Sequence, residues 1–526
     1  MRDIEVYKSG GVSSGTAEGY VQLGNFLEDR VAKGYQTVAV VSAPAYSGEP
    51  KEDLRVTELL RRRARGEHTE QRIIDMYTAI AEPLGISFDV REFENALSLA
   101  RSDDEYLYLG EHFQAQLFAT YLHSKGMRAE WLDARGVLQI DSPLGVNKVR
   151  HVFTEPFSLE NCDVFVMGGF YGNSIQGQTL TLPSGGSDLS ADVVAASLCA
   201  KVYGNLKAER GILATNPKFV PHAKQIGELT YREVRELSYG GNQVLQEEAM
   251  SWCRREKIPI VVRSLFSPDN PGTRIVAERD VTLPAIVGIA SSDKERFVVY
   301  NCRRDPKDSS YFREIFDIFS RRGISLDMIA TNNGFISLAV REKEYYNKEN
   351  DRDALEQDLG LRCNLQETRD DQALISVVGE GISNSHALRK RILEVVDHVA
   401  TSSYGPILGG AATEMTVYHI EKFGMNSEKG FATQLAECFD SMQVPIHGVS
   451  TTIDSMSIGT HLHRDRKAIE DMCRFLQERL KSDTISVRRN RLLLYGPPCE
   501  VSNVTISVAE SDLTRVISQL YAEFFE

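Results

Sequence analysis

Apolar positions in the first 275 residues fall into short unbroken runs separated by long periodic stretches. IEVY (4–7), TVAVVSA (37–43), DVFVMGGF (163–170) and IPIVVRSLF (258–266) are largely apolar at consecutive positions. Runs of this length predict strands buried on both faces. Between them, AEGYVQLGNFLEDRVAKG and GEHFQAQLFATYLHSKG follow a helical pattern. The alternation predicts an α/β unit, a parallel-type sheet with helices packed on either side. Residues 50–85 read as charged helix, and the basic run from Arg61 to Arg65 reads as a solvated face.

The style changes after SPDNPGTRIVAERD (267–280), a stretch rich in turn residues that marks a domain boundary. Beyond it, strand, helix, strand and strand recur. One unit runs RFVVYNC, SSYFREIFDIFSRRG, ISLDMIATNN, GFISLAV; two more and a partial fourth follow. Phe312, Ile315, Phe316 and Phe319 form the buried stripe of the first repeat's helix. The expected domains are 1–275, then three smaller α+β units at 276–370, 371–420 and 421–526.

Composition narrows the function classes. Of 526 residues, 42% are hydrophobic and 25% charged, enough apolar mass for several cores. Seventy-four acidic side chains against 60 basic ones give a formal charge of −14. That surface repels a polyanion and argues against general nucleic-acid binding, while a small anion still fits a locally positive pocket. No apolar run is long enough to span a membrane, and MRDIEVYKSGG reads as a first strand rather than an export signal. The eight cysteines stand singly with no CxxC pair, which fits a reducing, cytoplasmic setting. His461 and His463 alternate as in a strand or turn, and no metal-ligand set is visible.

Three glycine-rich loops carry the candidate chemistry. Lys8-Ser9-Gly10-Gly11 follows the first strand. Gly168-Gly169 with Gly172 follows DVFVM. Ser184-Gly185-Gly186-Ser187-Asp188 opens the helix ADVVAASLCA. Glycines let backbone N–H groups approach phosphate oxygens, and a lysine beside them adds a mobile charge. None of the loops has the GxxxxGK[ST] or GxGxxG spacing. Taken singly, Ser187 or Asp188 also reads as a helix cap, Glu111 as a first-turn residue of its helix, and Ser42 as the end of a strand.

The segments VYKSGGVSSG, VVSAP, YLYLGEHFQAQLFATYL, EWLDARGV, VFVMGGFYGNSIQGQTLTLPSGGSDLSADVVAASL and ATNPKFVPHAKQIGELTYREVRELSYGGNQVL, in this order, resemble aspartate kinases. ALISVVGEGI and NSEKGFATQLAECFDSMQVPIHGVSTTIDSMSI resemble the regulatory ACT repeats of that family. The resemblance implies a three-layer amino-acid-kinase sandwich followed by tandem ferredoxin-like ACT domains. It implies transfer of the γ-phosphoryl group of ATP, with Mg²⁺, to the side-chain carboxylate of aspartate in amino-acid biosynthesis.

On this resemblance Lys8 and Asp188 are catalytic, and Lys8, Gly10, Gly11, Gly169 and Gly186 hold the nucleotide. Ser42, Glu111, Ser184 and Ser187 face the amino-acid substrate. Asn426, Ser427 and Gly430 form an effector turn, and paired ACT units imply a homodimer or higher oligomer. The chain departs from the family where RGGSD has become SGGSD, at Ser184, and where the lysine of GAKVLHP has become Gln243. Losing a charged partner of the substrate costs about 1.5–3 kcal/mol. A specialised paralogue with a related acceptor, or a degenerate kinase serving as an amino-acid sensor, therefore stand as alternatives.

Overall fold

The computed structural model describes residues 3–45, 55–141, 148–150, 162–183, 185–208, 210–242, 245, 247–280, 284–292, 294–303, 311–331, 335–345, 351–382, 385–400, 403–404, 413–422, 425, 430–444, 446–451, 455–461, 466–492 and 503–526. They form two compact units. Among them no helix is long and apolar enough to cross a membrane.

The first unit comprises Met1–Ile212, Gln225–Tyr231 and Val244–Arg279. Its eight-stranded sheet has the order Glu228–Thr230, Thr273–Val276, Ile260–Ser264, Val202–Lys207, Ile4–Ser9, Gln36–Val41, Val164–Gly168, Ala129–Leu132. All neighbours are parallel except Ile260–Ser264 with Thr273–Val276. Strand alternation sends Tyr7, Ala39, Val41, Val164, Val166 and Leu206 into one apolar core with the helices Ala17–Ala32, Glu70–Ala81 and Leu109–Ser124. The helix Gly186–Ser197 lies on the opposite face, where Ser187 and Val40 crowd Gly169. Ile4–Ser9 pairs with the second strand on one side and with the Val202–Lys207 strand on the other. The chain thus changes direction across the sheet at this strand, and the carboxyl ends of strands at such a point open a crevice for a ligand. A small second sheet joins Lys148–Arg150, Gln139–Asp141, Tyr171–Asn173 and Thr179–Thr181.

The second unit holds Leu213–Lys224, Arg232–Gln243 and Asp280–Glu526. Two stretches expected inside the first domain therefore belong here. Their hydrogen bonds are the reason: Ile289 N–H donates to Ala214 O at 2.7 Å, Lys224 N–H to the Tyr521 hydroxyl at 2.8 Å, and Glu380 N–H to Glu233 Oε1 at 2.9 Å.

Two ferredoxin-like motifs are complete. In the first, the sheet runs Met328–Thr331, Phe335–Arg341, Phe297–Arg303, Leu365–Val378, with helices Tyr311–Arg321 and Asp351–Cys363. In the second it runs Ile446–Thr451, Ser455–His461, Thr413–Glu421, Thr484–Leu492, with helices Phe431–Ser441 and Arg466–Leu480. One core spans both, from Val298, Phe312, Phe316 and Ile336 to Tyr418, Phe431, Phe439 and Ile458.

The boundary expected at 420/421 does not separate two sheets. Thr413–Glu421 pairs with strands after it, Ser455–His461 and Thr484–Leu492. Asn503–Ala509 returns to pair with residues 372–378 of the long strand and with Ser403–Tyr404. The second motif is thus inserted into a third one, whose sheet also takes in Gly288–Ala290. The long strand serves two sheet regions, pairing with Phe297–Arg303 in its first half, and Asp371 at the changeover has φ +51°. An apolar run identifies a strand, not its partner, so tandem units were the default expectation.

Phe439 is fully buried and meets the Tyr418 ring edge-on at 5.5 Å. Replacing it by alanine empties the core common to both complete motifs. The expected cost is about 3–5 kcal/mol, read as a lower urea midpoint of the full chain; an unchanged midpoint would show that the core is not shared.

Candidate functional site

The site is built where the first strand ends. Lys8 Nζ lies 2.8 Å from Asp188 Oδ1, and both side chains are more than four-fifths buried. Lys8 reaches the pair from its strand, and Asp188 from the first turn of the Gly186–Ser197 helix. Asn205, directly opposite Lys8 on the neighbouring strand, donates from Nδ2 to Asp188 Oδ1 at 2.8 Å and to the Tyr203 hydroxyl at 3.1 Å. The Tyr203 hydroxyl donates to the Asp188 main-chain oxygen at 3.4 Å. Burial pushes the Asp188 carboxyl up, but Lys8, Lys207 and the Asn205 hydrogen bond outweigh it and hold the pKa below the ordinary carboxylate value.

Glycines let the loops close around this pair. A Cβ on Gly11 would stand 2.2 Å from Ala43 O, so the loop after the first strand lies directly against the loop after the second. Backbone hydrogen bonds join them: Ala45 N–H donates to Gly11 O at 3.1 Å, and Ser42 N–H to Ser9 O at 3.2 Å. The Gly10 Cα faces the Lys8 ammonium; a Cβ there would sit 3.7 Å from Nζ. A Cβ on Gly169 would lie 2.8 Å from Ser187, so glycine at 169 lets the helix start approach the sheet. Gly186 is similarly close to Leu182, and Gly185 before it takes φ +84°.

Glu111 enters from the Leu109–Ser124 helix and is 4% exposed. Burial pushes its carboxyl up to about 8, while hydrogen bonds from the Ala43 and Glu111 N–H groups and the charge of Lys8 pull it down. Its Oε2 has no hydrogen-bond partner among the described residues. Next to it, burial lowers the His112 pKa to about 4, so that ring is neutral at pH 7.

Lys8, Gly10, Gly11, Ser42, Glu111, Gly169, Gly186, Ser187 and Asp188 are thus gathered at one end of the sheet. Ser184, Gln243, Asn426 and Ser427 lie outside the described residues. Gly430 lies in the second unit, where it caps the Phe431–Ser441 helix and lines a cavity with Tyr239, Ser320, Asp327, Thr433 and Thr451. Asp327 there accepts a hydrogen bond from the Tyr239 hydroxyl at 2.6 Å and faces Arg341 Nε at 2.8 Å. Sequence reasoning missed Tyr203, Asn205 and Lys207. Their signal was the alternation in YGNLK, which puts a tyrosine, an asparagine and a lysine on one face of a strand.

The first unit therefore brings a cation, glycine turns and the start of the Gly186–Ser197 helix to one place, and sets a buried carboxyl beside them. Chemically this combination holds a polyanion next to a group that carries a positive charge.

The chain matches the model of the amino acid kinase family over residues 3–264. It is 28% identical over 359 residues to aspartokinase 3 of Bacillus subtilis, a match covering 64% of this chain and 78% of the relative. Further curated aspartokinases are matched over 45% to 94% of their own length. Among solved structures, Clostridium acetobutylicum aspartate kinase superposes with a TM-score of 0.68 at 21% identity, over 99% of this chain and 100% of that one. Escherichia coli aspartokinase III in complex with aspartate and ADP gives 0.60 at 20%, over 100% of both chains. At these identities the likeness to the solved structures is one of fold.

The Glu111 carboxyl sets a pH dependence. Its folded pKa is raised above the unfolded value of about 4.3. Its contribution is fully present below that value and is lost as pH rises through about 8. Glu111→Gln removes the titrating group. Urea melts should therefore find E111Q gaining on the parent chain from pH 5 to pH 9; a constant difference would show that Glu111 does not titrate in this window.

Proposed function

Because the chain belongs to the amino acid kinase family, we propose that it is an aspartate kinase, moving the γ-phosphoryl group of ATP to the side-chain carboxylate of L-aspartate. The observation that carries this reading is the buried Lys8–Asp188 pair beside a second buried carboxyl, Glu111, with an unpartnered oxygen. One substrate brings phosphates for the lysine, and the other brings an ammonium for the glutamate.

The reaction asks for positioning and charge neutralisation. A carboxylate oxygen of aspartate attacks the γ-phosphorus, the bond to the bridging oxygen breaks, and ADP leaves with that electron pair. The products are ADP and 4-phospho-L-aspartate. The attacking carboxylate is already ionised at neutral pH, so no general base is needed. Lys8 spreads the charge of the transferring group, and Asp188, itself oriented by Asn205 and Tyr203, aims the lysine. Gly10 and Gly11 leave room for phosphate oxygens over the turn. Glu111, kept protonated by burial while the site is empty, ionises once the substrate ammonium supplies the missing countercharge.

Among the described residues no three carboxylate, imidazole or thiolate side chains converge as a metal cage. A Mg²⁺ ion entering with ATP would be held through phosphate oxygens and water, and no step above is routed through it. In the second unit, the cavity lined by Gly430 and Asp327 takes an amino-acid effector, and the chain works as a homodimer or higher oligomer. The buried thiols at Cys162, Cys253, Cys302, Cys363 and Cys438 fit a reducing compartment, the cytoplasm.

Hydroxylamine trapping of the acyl phosphate tests the reading, with MgATP and a panel of aspartate, glutamate, asparagine and β-substituted aspartates. Turnover with aspartate is expected, and Lys8→Ala should lower kcat by about a hundredfold to a thousandfold while aspartate still binds. Turnover with only a modified amino acid would replace aspartate as acceptor. Amino-acid binding without any turnover would replace the kinase by a sensor.

A further inference from the structure

The cavity of the second unit is lined mostly by apolar side chains. Phe316, Phe319, Ile324, Ile329, Met425 and Met456 line it, and all belong to the core common to the two complete motifs. Ser320, Ser325 and Thr451 add short hydroxyl side chains, of which Thr451 already accepts the Ile329 N–H at 3.2 Å. The Thr433 hydroxyl, also in the lining, has no hydrogen-bond partner among the described residues. It stands in the first turn of the Phe431–Ser441 helix, which Gly430 caps with backbone alone. The cavity holds about 70 Å³. At roughly 10–15 Å³ per water, that is room for about five waters, or for a side chain of similar size.

Among the described lining residues Asp327 is the single acidic one, and its carboxylate is already engaged. The Tyr239 hydroxyl donates to Oδ1 at 2.6 Å, and Arg341 Nε lies 2.8 Å from the same oxygen. The Arg341 N–H donates to Oδ2 at 3.3 Å, and the guanidinium lies over the Tyr239 ring, 5.1 Å from its centre. Both carboxylate oxygens therefore have partners, and the negative charge has a guanidinium beside it. Every amino acid brings an α-ammonium and an α-carboxylate, so those groups do not discriminate between ligands; the side chain does. A cationic side chain placed here would give up its water and meet no unpaired carboxylate among the described lining residues. An aliphatic one loses no hydrogen bonds and buries its surface.

We propose that this cavity selects amino acids with uncharged, apolar side chains of the size of valine, leucine, isoleucine or methionine, and discriminates against basic ones. This rests on the effector reading of the cavity given above, and it names the chemical class of the effector. The Asp327–Arg341 pair then works as a specificity device, because it matches the acid in the lining with a cation of the chain itself.

The test is calorimetric titration of the full chain, without nucleotide, by L-valine, L-leucine, L-isoleucine, L-methionine, L-lysine and L-arginine. We expect the tightest of the apolar amino acids to bind at least about tenfold more strongly than lysine or arginine. Ser325→Asp puts a carboxylate without a cation into the cavity, and should move the leucine-to-lysine affinity ratio toward lysine by about tenfold. A thermal melt checks that this variant folds; Ser320→Asp, from the helix side of the same cavity, replaces it if it does not. Lysine or arginine binding as tightly as the apolar amino acids would overturn the proposal. So would a parent chain that binds none of the apolar amino acids, and so would a ratio left unchanged in a folded aspartate variant, which would put the binding elsewhere. Acyl-phosphate formation is a separate readout: its failure with every acceptor would sink the kinase reading, while the selectivity of the cavity is still decided by the affinity ratios.

Discussion

The buried Lys8–Asp188 ion pair is the constraint around which the first unit is arranged. Charges withdrawn from water are tolerated only when they are paired and their remaining hydrogen-bonding capacity is used. Here that requirement reaches three elements at once. Lys8 must end the first strand, Asp188 must open the Gly186–Ser197 helix, and Asn205 must stand opposite Lys8 on the adjoining strand. The close approaches at Gly11 and Gly169 follow, because neither loop nor helix start could come near enough with a side chain in the way. Removing one member of such a pair leaves the other charge with fewer partners in a water-poor place, which costs stability.

Much of this was legible in the amino-acid order, for identifiable reasons. A parallel sheet buried on both faces writes itself as unbroken apolar runs, and IEVY, TVAVV and DVFVM are its adjacent central strands. Glycine loops directly after such strands are legible too, since few other residues permit the turn. Asn205 and Lys207 were not, because a polar residue at the end of a strand looks like the onset of a loop until its register is known. Their meaning comes from Lys8↔Asn205 pairing, which is a tertiary fact.

The second unit shows the same limit on a larger scale. Its repeats were visible as repeated strand–helix patterns, but their nesting was not. Thr413–Glu421 and Asn503–Ala509 are both short apolar strands, and nothing in their composition says that the first opens an inserted motif while the second closes the interrupted one. Insertion at that place is structurally cheap. The interrupted motif needs only that its two ends return to the same sheet, and closing a longer loop adds little entropy cost. Segments 213–224 and 232–243 likewise joined the second unit through specific hydrogen bonds to Ile289, Tyr521 and Glu380, which no periodicity could reveal.

Two carboxyls at the carboxyl end of the sheet are treated in opposite ways, and that contrast is what makes the site directional. Asp188 is buried yet ionised, because a lysine lies at 2.8 Å and an asparagine donates to the same oxygen. Glu111 is as buried, but it has only backbone donors on its own side and a more distant lysine, so the proton stays until the pKa of about 8 is passed. Environments that push neighbouring carboxyl pKa values apart assign them different work. The ionised one holds cations already present in the protein. The protonated one has an oxygen without a partner among the described residues, and in the proposed reading an incoming ammonium group completes it. An amino acid bound by its ammonium at Glu111 and a phosphate bound at Lys8 would therefore enter with fixed places, since exchanging them would set phosphate against carboxyl and ammonium against lysine.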